Sequence, residues 1–109
     1  MKIPTEVKEQ AWQIIIEYND TVYAKKNVEY FAEFRGKNLY LNRIEESGDI
    51  SPMAKLTYTG KMDEWDFAIF RWTTEKYDPD EDYFPGCQHV DGTVRGAMLA
   101  CDEAYPLFY

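Results

Sequence analysis

Between residues 22 and 28 the spacing of apolar side chains changes from that of a helix to that of a strand, and no fold built from one kind of element accommodates both. On the near side, Val7, Ala11, Ile14, Ile15, Tyr18 and Val22 recur at steps that place them on one face of a helix. Pro4 and Thr5 suit its first turn, and Glu6 and Glu9 complement the positive end of its dipole. Asn19-Asp20 can stop it, so its end is expected between residues 18 and 25. Trp12 and Ile16 widen the apolar face, which implies a helix pressed well into a sheet or against a second subunit.

On the far side, Val28, Tyr30, Ala32 and Phe34 alternate with Glu29, Glu33 and Arg35, the period of a strand with one buried face. Gly36-Lys37-Asn38 turns the chain, and Leu39–Glu45 returns antiparallel with Leu39 and Leu41 facing away from Tyr40, Asn42 and Ile44. Glu46-Ser47-Gly48-Asp49 is a loop by composition. Met53–Thr59 reads as a third strand, with Ala54, Leu56 and Tyr58 on one side. Gly60-Lys61-Met62-Asp63 turns again into Trp65–Trp72, which is apolar on both faces and is expected to be central or covered on both sides. Glu75–Tyr77 continues it past a bulge or forms a short fifth strand. Asp91 or Thr93 then caps a last helix in which Val94, Ala97, Met98 and Cys101 share a face, and Pro106 stops it. The expected fold is α+β: an N-terminal helix, a four- to five-stranded antiparallel β-meander, an acidic loop, and a C-terminal helix packed on the sheet. A chain of 109 residues without repeat or linker reads as one domain spanning 1–109.

Charge narrows the classes of partner. Acids outnumber bases 20 to 12, and the excess sits in one half: residues 1–60 carry a net charge of −1 and residues 61–109 a net charge of −7. Nucleic-acid binding draws its affinity from cations meeting phosphates, so no nucleic acid is expected as partner. Docking on an anionic membrane is disfavoured for the same reason, and no apolar run approaches the length that spans a bilayer. A basic protein partner remains compatible. No hydrophobic leader follows Met1, so a cytoplasmic location is expected, where Cys87 and Cys101 stay reduced more readily than they pair.

The excess charge peaks in Tyr77-Asp78-Pro79-Asp80-Glu81-Asp82-Tyr83-Phe84, acids flanked by rings in an expected loop. Loops held by a scaffold carry function more often than the scaffold does. In this reading Asp78, Asp80, Glu81 and Asp82 steer a basic surface, while Trp72, Tyr77, Tyr83 and Phe84 anchor it.

Three stretches resemble a bacterial family, the domain of unknown function numbered 3024: Gly36-Lys37-Asn38-Leu39-Tyr40-Leu41, Ser51-Pro52-Met53-Ala54-Lys55-Leu56-Thr57-Tyr58, and Trp65-Asp66-Phe67-Ala68-Ile69-Phe70-Arg71-Trp72. Members are similar in carrying a "P-x-A-K-x-x-Y" stretch before a Trp-led aromatic strand, a tyrosine after it (Tyr77 here), and a terminal helix ending in acids (Asp102-Glu103 here). The resemblance covers about residues 28–109. Departures are Glu75-Lys76 where the family shows a basic or histidine-bearing step, a longer Glu81–Val90 loop, and Leu107-Phe108-Tyr109 at the end. The family has no assigned activity, so the resemblance implies a fold and a bacterial origin and transfers no catalytic residue.

Other constellations are weaker. Asp78, Asp80 and Asp82 have the spacing that opens a calcium loop, but the sixth position is Tyr83 rather than glycine and the twelfth is His89 rather than a bidentate acid. Cys87, His89 and Asp91, completed by Cys101 or Asp102, offer a zinc-like donor set without paired C-x-x-C spacing. Tyr30, Tyr40, Tyr58, Phe70 and Trp72 are reminiscent of a nucleic-acid stacking platform, yet lie in a negative field and are expected to fill a core or a dimer interface. No phosphate loop or nucleophile elbow is present, and Glu45-Glu46 and Asp102-Glu103 read as ordinary surface acids. No cofactor is expected. The residues point to a non-enzymatic interaction module, with a homodimer among its forms. The alternative is a small-molecule- or metal-binding domain, enzymes included, with a pocket between sheet and helices and Cys87, His89 and Asp91 near its mouth.

Overall fold

The structure, a computed structural model, describes residues 2–24, 26–79 and 84–106. Helix α1 (Thr5–Thr21) leaves the extended Pro4, whose carbonyl accepts from the amides of Val7 and Lys8, and buries Ala11, Ile15 and Tyr18. Five strands follow: β1 (Glu29–Arg35), β2 (Asn38–Ile44), β3 (Ile50–Thr57), β4 (Asp66–Arg71) and β5 (Lys76–Asp78). Each pairs antiparallel with the next, so spatial order is sequence order. Helix α2 (Val94–Ala104) starts at Thr93, whose hydroxyl accepts from the Gly96 amide, and buries Val94, Ala97, Met98 and Cys101, the face its spacing predicts.

Local chemistry explains most of these boundaries. The β1–β2 turn has two residues, Gly36 and Lys37, and Gly36 supplies the positive φ of 60° that the first position of such a tight hairpin needs. β3 begins earlier than the alternation of Ala54, Leu56 and Tyr58 predicts, because a bulge hides the register. Leu41 faces Ala54 while Asn42 faces Pro52, leaving Met53 as the extra residue. The bulge turns both Met53 and Ala54 into the core, and it accommodates a proline in the middle strand of a sheet, where a missing N–H is otherwise costly.

Both helices pack on one face of the sheet. Tyr30, Ala32, Leu39, Leu41, Ala54 and Leu56 meet Ala11, Ile15, Tyr18, Val94, Ala97 and Met98 in a single core. α1 also guards the edge strand. The Asn19 side chain accepts from the Tyr30 amide (2.9 Å) and donates to its carbonyl (3.0 Å), standing in for the neighbouring strand that β1 lacks.

β4 is an interior strand shielded on both faces, as its apolar pattern predicts: Ala68, Ile69 and Phe70 are all buried. One expectation needs correction. Trp12 (36% exposed) and Ile16 (46%) are not pressed into the sheet, because α1 turns toward it only the stripe through Ala11, Ile15 and Tyr18. Of the five rings expected to fill a core or an interface, Tyr30, Tyr58 and Phe70 are buried, Tyr40 is half-buried and Trp72 is exposed, and they divide between the two faces of the sheet.

Candidate functional site

The acidic segment is described only at its flanks; Asp80, Glu81, Asp82 and Tyr83 lie outside the described residues. The flanking residues divide between the two faces of the sheet. Trp72 follows β4, is 48% exposed, and meets the Phe70 ring edge-on at 5.1 Å. Phe70 touches Tyr77 at 5.1 Å, and Tyr77 touches Tyr40 at 5.4 Å, so four rings run in a row on the face away from the helices. Burial and the neighbouring Tyr40 and Glu33 raise the Tyr77 hydroxyl above its usual range. Asp78 and Phe84 lie on the helix side. Asp78 pairs with Arg71 at 3.3 Å, and Phe84 stacks on Phe67 at 5.9 Å and 18°.

Phe84 also separates two clefts. One of about 320 Å³ is walled by Ile69, Arg71, Trp72, Pro85 and Tyr105, and another of about 380 Å³ by Trp65, Phe67, Pro79, Cys87 and Val90. The walls of the first are mostly apolar, the usual lining of a small-molecule site, whereas those of the second are more polar and include Asp66; both volumes fall at the small end of such sites.

Cys87, His89 and Asp91 do not converge. A 3-10 turn, Cys87–His89, sets the half-buried Cys87 in the second cleft. His89 Nε2 lies 3.6 Å from Glu103 on α2. Asp91 accepts from the Thr93 amide at 3.0 Å and hydroxyl at 2.6 Å; these bonds, the hydroxyl first, hold its carboxyl below the usual range. Asp91 thus buttresses the cap of α2. Among the described residues, no group of three or more His, Cys, Asp or Glu side chains is placed to hold a metal. Neither cysteine is bridged, and burial pushes the Cys101 thiol well above its usual range.

The densest polar constellation is one that the sequence reading set aside as a surface acid. The hydroxyls of Tyr18 (α1), Tyr23 (just after α1) and Tyr30 (β1) all donate to the Asp102 carboxylate on α2, Tyr30 at 2.9 Å. Arg43 of β2, its side chain only 5% exposed, adds a contact to the same carboxylate at 3.3 Å. It also donates to Glu45 at 2.8 Å and to the Tyr105 carbonyl at 2.8 Å. The three tyrosine rings pack against one another with centroids 5.7–5.8 Å apart.

The electrostatics follow from burial. Desolvation, then the adjoining Asp102, pushes the hydroxyls of Tyr18 and Tyr23 far above their usual range, and burial does the same for Tyr30. All three are therefore permanent donors at neutral pH. Burial works against the charge of Arg43, but the hydrogen bond to Glu45 together with the attraction of Tyr30, Glu45 and Tyr23 outweighs it, so the guanidinium stays ionised. A carboxylate has about four acceptor sites, and here four donors address them. Tyr23, Tyr30 and Arg43 all address Oδ1 and Tyr18 alone addresses Oδ2, so the donors crowd one oxygen. The arrangement clamps α1, β1, β2 and α2 together.

One sequence signal marks this cluster. Leu39 and Leu41 put the odd-numbered residues of β2 inward, which carries Arg43 into the core, where an arginine needs acid partners. Comparison of the chain with protein-family models, with curated proteins and with solved structures finds no match in any of the three.

Proposed function

We propose that this chain is a non-enzymatic protein-interaction module of a bacterial cytoplasm, presenting acids and exposed rings at its β4–β5 end to a basic protein partner. The observation that carries this reading is Trp72, a large ring 48% exposed in the turn between β4 and β5, the strand that leads into the segment richest in acids. Exposed aromatic anchors beside a charged, steering rim are the usual makings of a protein interface. The titratable groups of the Asp102 cluster support it indirectly, since all of them serve the fold. The bacterial setting rests on the resemblance to the family of unknown function numbered 3024.

The test is affinity capture at low salt with three baits: the native chain, a variant carrying Asp78→Asn, Asp80→Asn and Asp82→Asn, and Trp72→Ala. A stoichiometric basic partner held by the first and lost from the other two is the expected result. Equal capture by all three baits, or no capture by any, overturns the reading.

The two clefts around Phe84 favour a second reading, a small-molecule-binding domain. Its test is a thermal-shift screen of small apolar compounds, in which any stabilising compound must lose its effect in Phe84→Ala.

A further inference from the structure

We infer that the sheet face opposite the helices is the interface of a homodimer, in which two copies close their open faces on each other. The face shares Trp72 with the partner reading above, and Ile50, which that reading does not use, tells the two apart.

The strand register defines the face. Phe31 stands beside Asn42, Asn42 beside Pro52, Glu33 beside Tyr40, Tyr40 beside Lys55, Ile44 beside Ile50, and Phe70 beside Tyr77. An antiparallel sheet with one free face ordinarily shows polar side chains there. Here Phe70, Ala68 and Asn42 are buried within the chain and Phe31, Tyr40 and Tyr77 are half-buried, while Ile50 and Trp72 stand exposed at the margin. Ile50 (60% exposed) and Trp72 (48%) are the two most exposed large apolar residues of the described chain. Both fall at the same end of the face, because β3 begins where the antiparallel β4 ends. Apolar surface so grouped is characteristic of an interface.

Charge selects the occupant. The face carries Glu29, Glu33 and Asp66 against Arg35 and Lys55, nearly neutral in a chain of net charge −8. Its two cations lie back over the rings, Arg35 at 5.7 Å from Tyr40 and Lys55 at 6.0 Å from Tyr77. A nucleic-acid platform needs cations in excess. A strongly basic partner would seek the acid-rich segment instead. A second copy is repelled by the acidic surface but not by this face, where like-charge repulsion is weakest and apolar gain greatest.

Size agrees with that occupant. Five strands about 4.8 Å apart and about six residues long at 3.4 Å each cover about 490 Å² in plan. Two such faces give about 1,000 Å², at the threshold of a specific interface. Stacked sheets lie about 10 Å apart with interleaved side chains, and an isologous two-fold arrangement matches the apolar end of each face to the same surface on its mate.

Sedimentation velocity over a range of concentrations tests the assignment. The native chain is expected at twice its 12.9 kDa mass, in low and in high salt alike. Ile50→Lys and Trp72→Lys should each weaken the dimer at least tenfold, even though both lower the net negative charge. The two sites are solvent-exposed in one copy, so circular dichroism should show both variants folded. Ile16→Lys, on the exposed side of α1, should leave the dimer intact, as should the triple asparagine variant of the acidic segment. A native chain that stays monomeric at high concentration overturns the inference. So does a dimer broken by Ile16→Lys and untouched by Ile50→Lys. Association that appears only with added single-stranded nucleic acid or a foreign protein overturns it as well.

Discussion

Replacing Asp102 with alanine removes the acceptor shared by Tyr18, Tyr23, Tyr30 and Arg43 and tests whether that cluster holds the fold together. A hydrogen bond to a charged group contributes about 1.5–3 kcal/mol, so four independent bonds would total about 6–12 kcal/mol. They are not independent. Arg43 keeps Glu45 and the Tyr105 carbonyl, Tyr30 lies 3.4 Å from the Met98 carbonyl, and the Asp102 side chain is 22% exposed, so water reaches the gap. The expected loss is therefore about 3–5 kcal/mol, the range for breaking a buried ionic contact by deleting one partner. A domain of this size has about 5–15 kcal/mol in total, so Asp102→Ala should remain folded but markedly weaker. Asp102→Asn keeps the shape and one acceptor oxygen, and its expected loss is about 2 kcal/mol. Urea unfolding followed by tyrosine fluorescence measures both, with the native m-value as a check that the unfolding transition is unchanged. A loss under about 1 kcal/mol for Asp102→Ala would refute the argument, because hydrated donors would then be as content as bonded ones. A double-mutant cycle with Tyr23→Phe sharpens the test: a coupling near zero means that the two groups do not share a bond.

Alkali should unfold the protein early. Tyr18, Tyr23 and Tyr30 stay protonated in the fold but ionise near their ordinary pKa of 10.0 once unfolded. The unfolded chain then binds fewer protons than the native one, so stability is full below about pH 10 and falls above it, by about 1.4 kcal/mol per pH unit for each tyrosine. Tyrosinate absorbance should show these three of the nine tyrosines silent until the chain unfolds; titration of all nine while the fold persists removes the basis for the slope. Cys87 should react with a disulfide reagent in the native state while the buried Cys101 waits for unfolding, and equal rates would contradict their placement. Two turn positions should respond oppositely to substitution, as thermal melts can read. Glu75, at φ 54°, should gain about 0.5–1 kcal/mol as glycine. Gly86, at φ 99° and with room for a Cβ only 2.5 Å from the Ala100 carbonyl oxygen, should lose about 2–4 kcal/mol as alanine.

The fold was largely legible because its periods are clean. Alternation through Tyr30, Ala32 and Phe34 and helical spacing through Val94, Ala97, Met98 and Cys101 are both dictated by one buried face, and burial is what they record. The bulge at Met53 was not legible, since an extra residue puts two neighbours on one side and breaks the alternation that would reveal the strand. The exposure of Trp12 and Ile16 was hidden for a related reason: composition shows that a side chain is apolar, not which way the helix is rolled. The Asp102 cluster was half legible. Arg43 follows from β2's alternation, but its partners come from α1, β1 and α2, separated by as many as 84 residues, and no local pattern announces such a meeting.

The cluster also explains where function is to be sought. Tyrosine, arginine and aspartate together are the raw material of acid–base chemistry, but here each hydroxyl already donates to the carboxylate, and the bonds tie α1, β1, β2 and α2 together. What the chain offers the solvent is of two other kinds: acids concentrated in residues 61–109, and a nearly neutral aromatic face on the far side of the sheet. The two obey different physics. Salt screens a contact made through the acids within about 10 Å at ordinary ionic strength, whereas apolar burial between sheets is left intact or strengthened by it. A partner that salt releases, from a dimer that salt does not dissociate, is therefore the signature expected if both surfaces act as proposed. A single interface serving both purposes would release its partner and its second copy together.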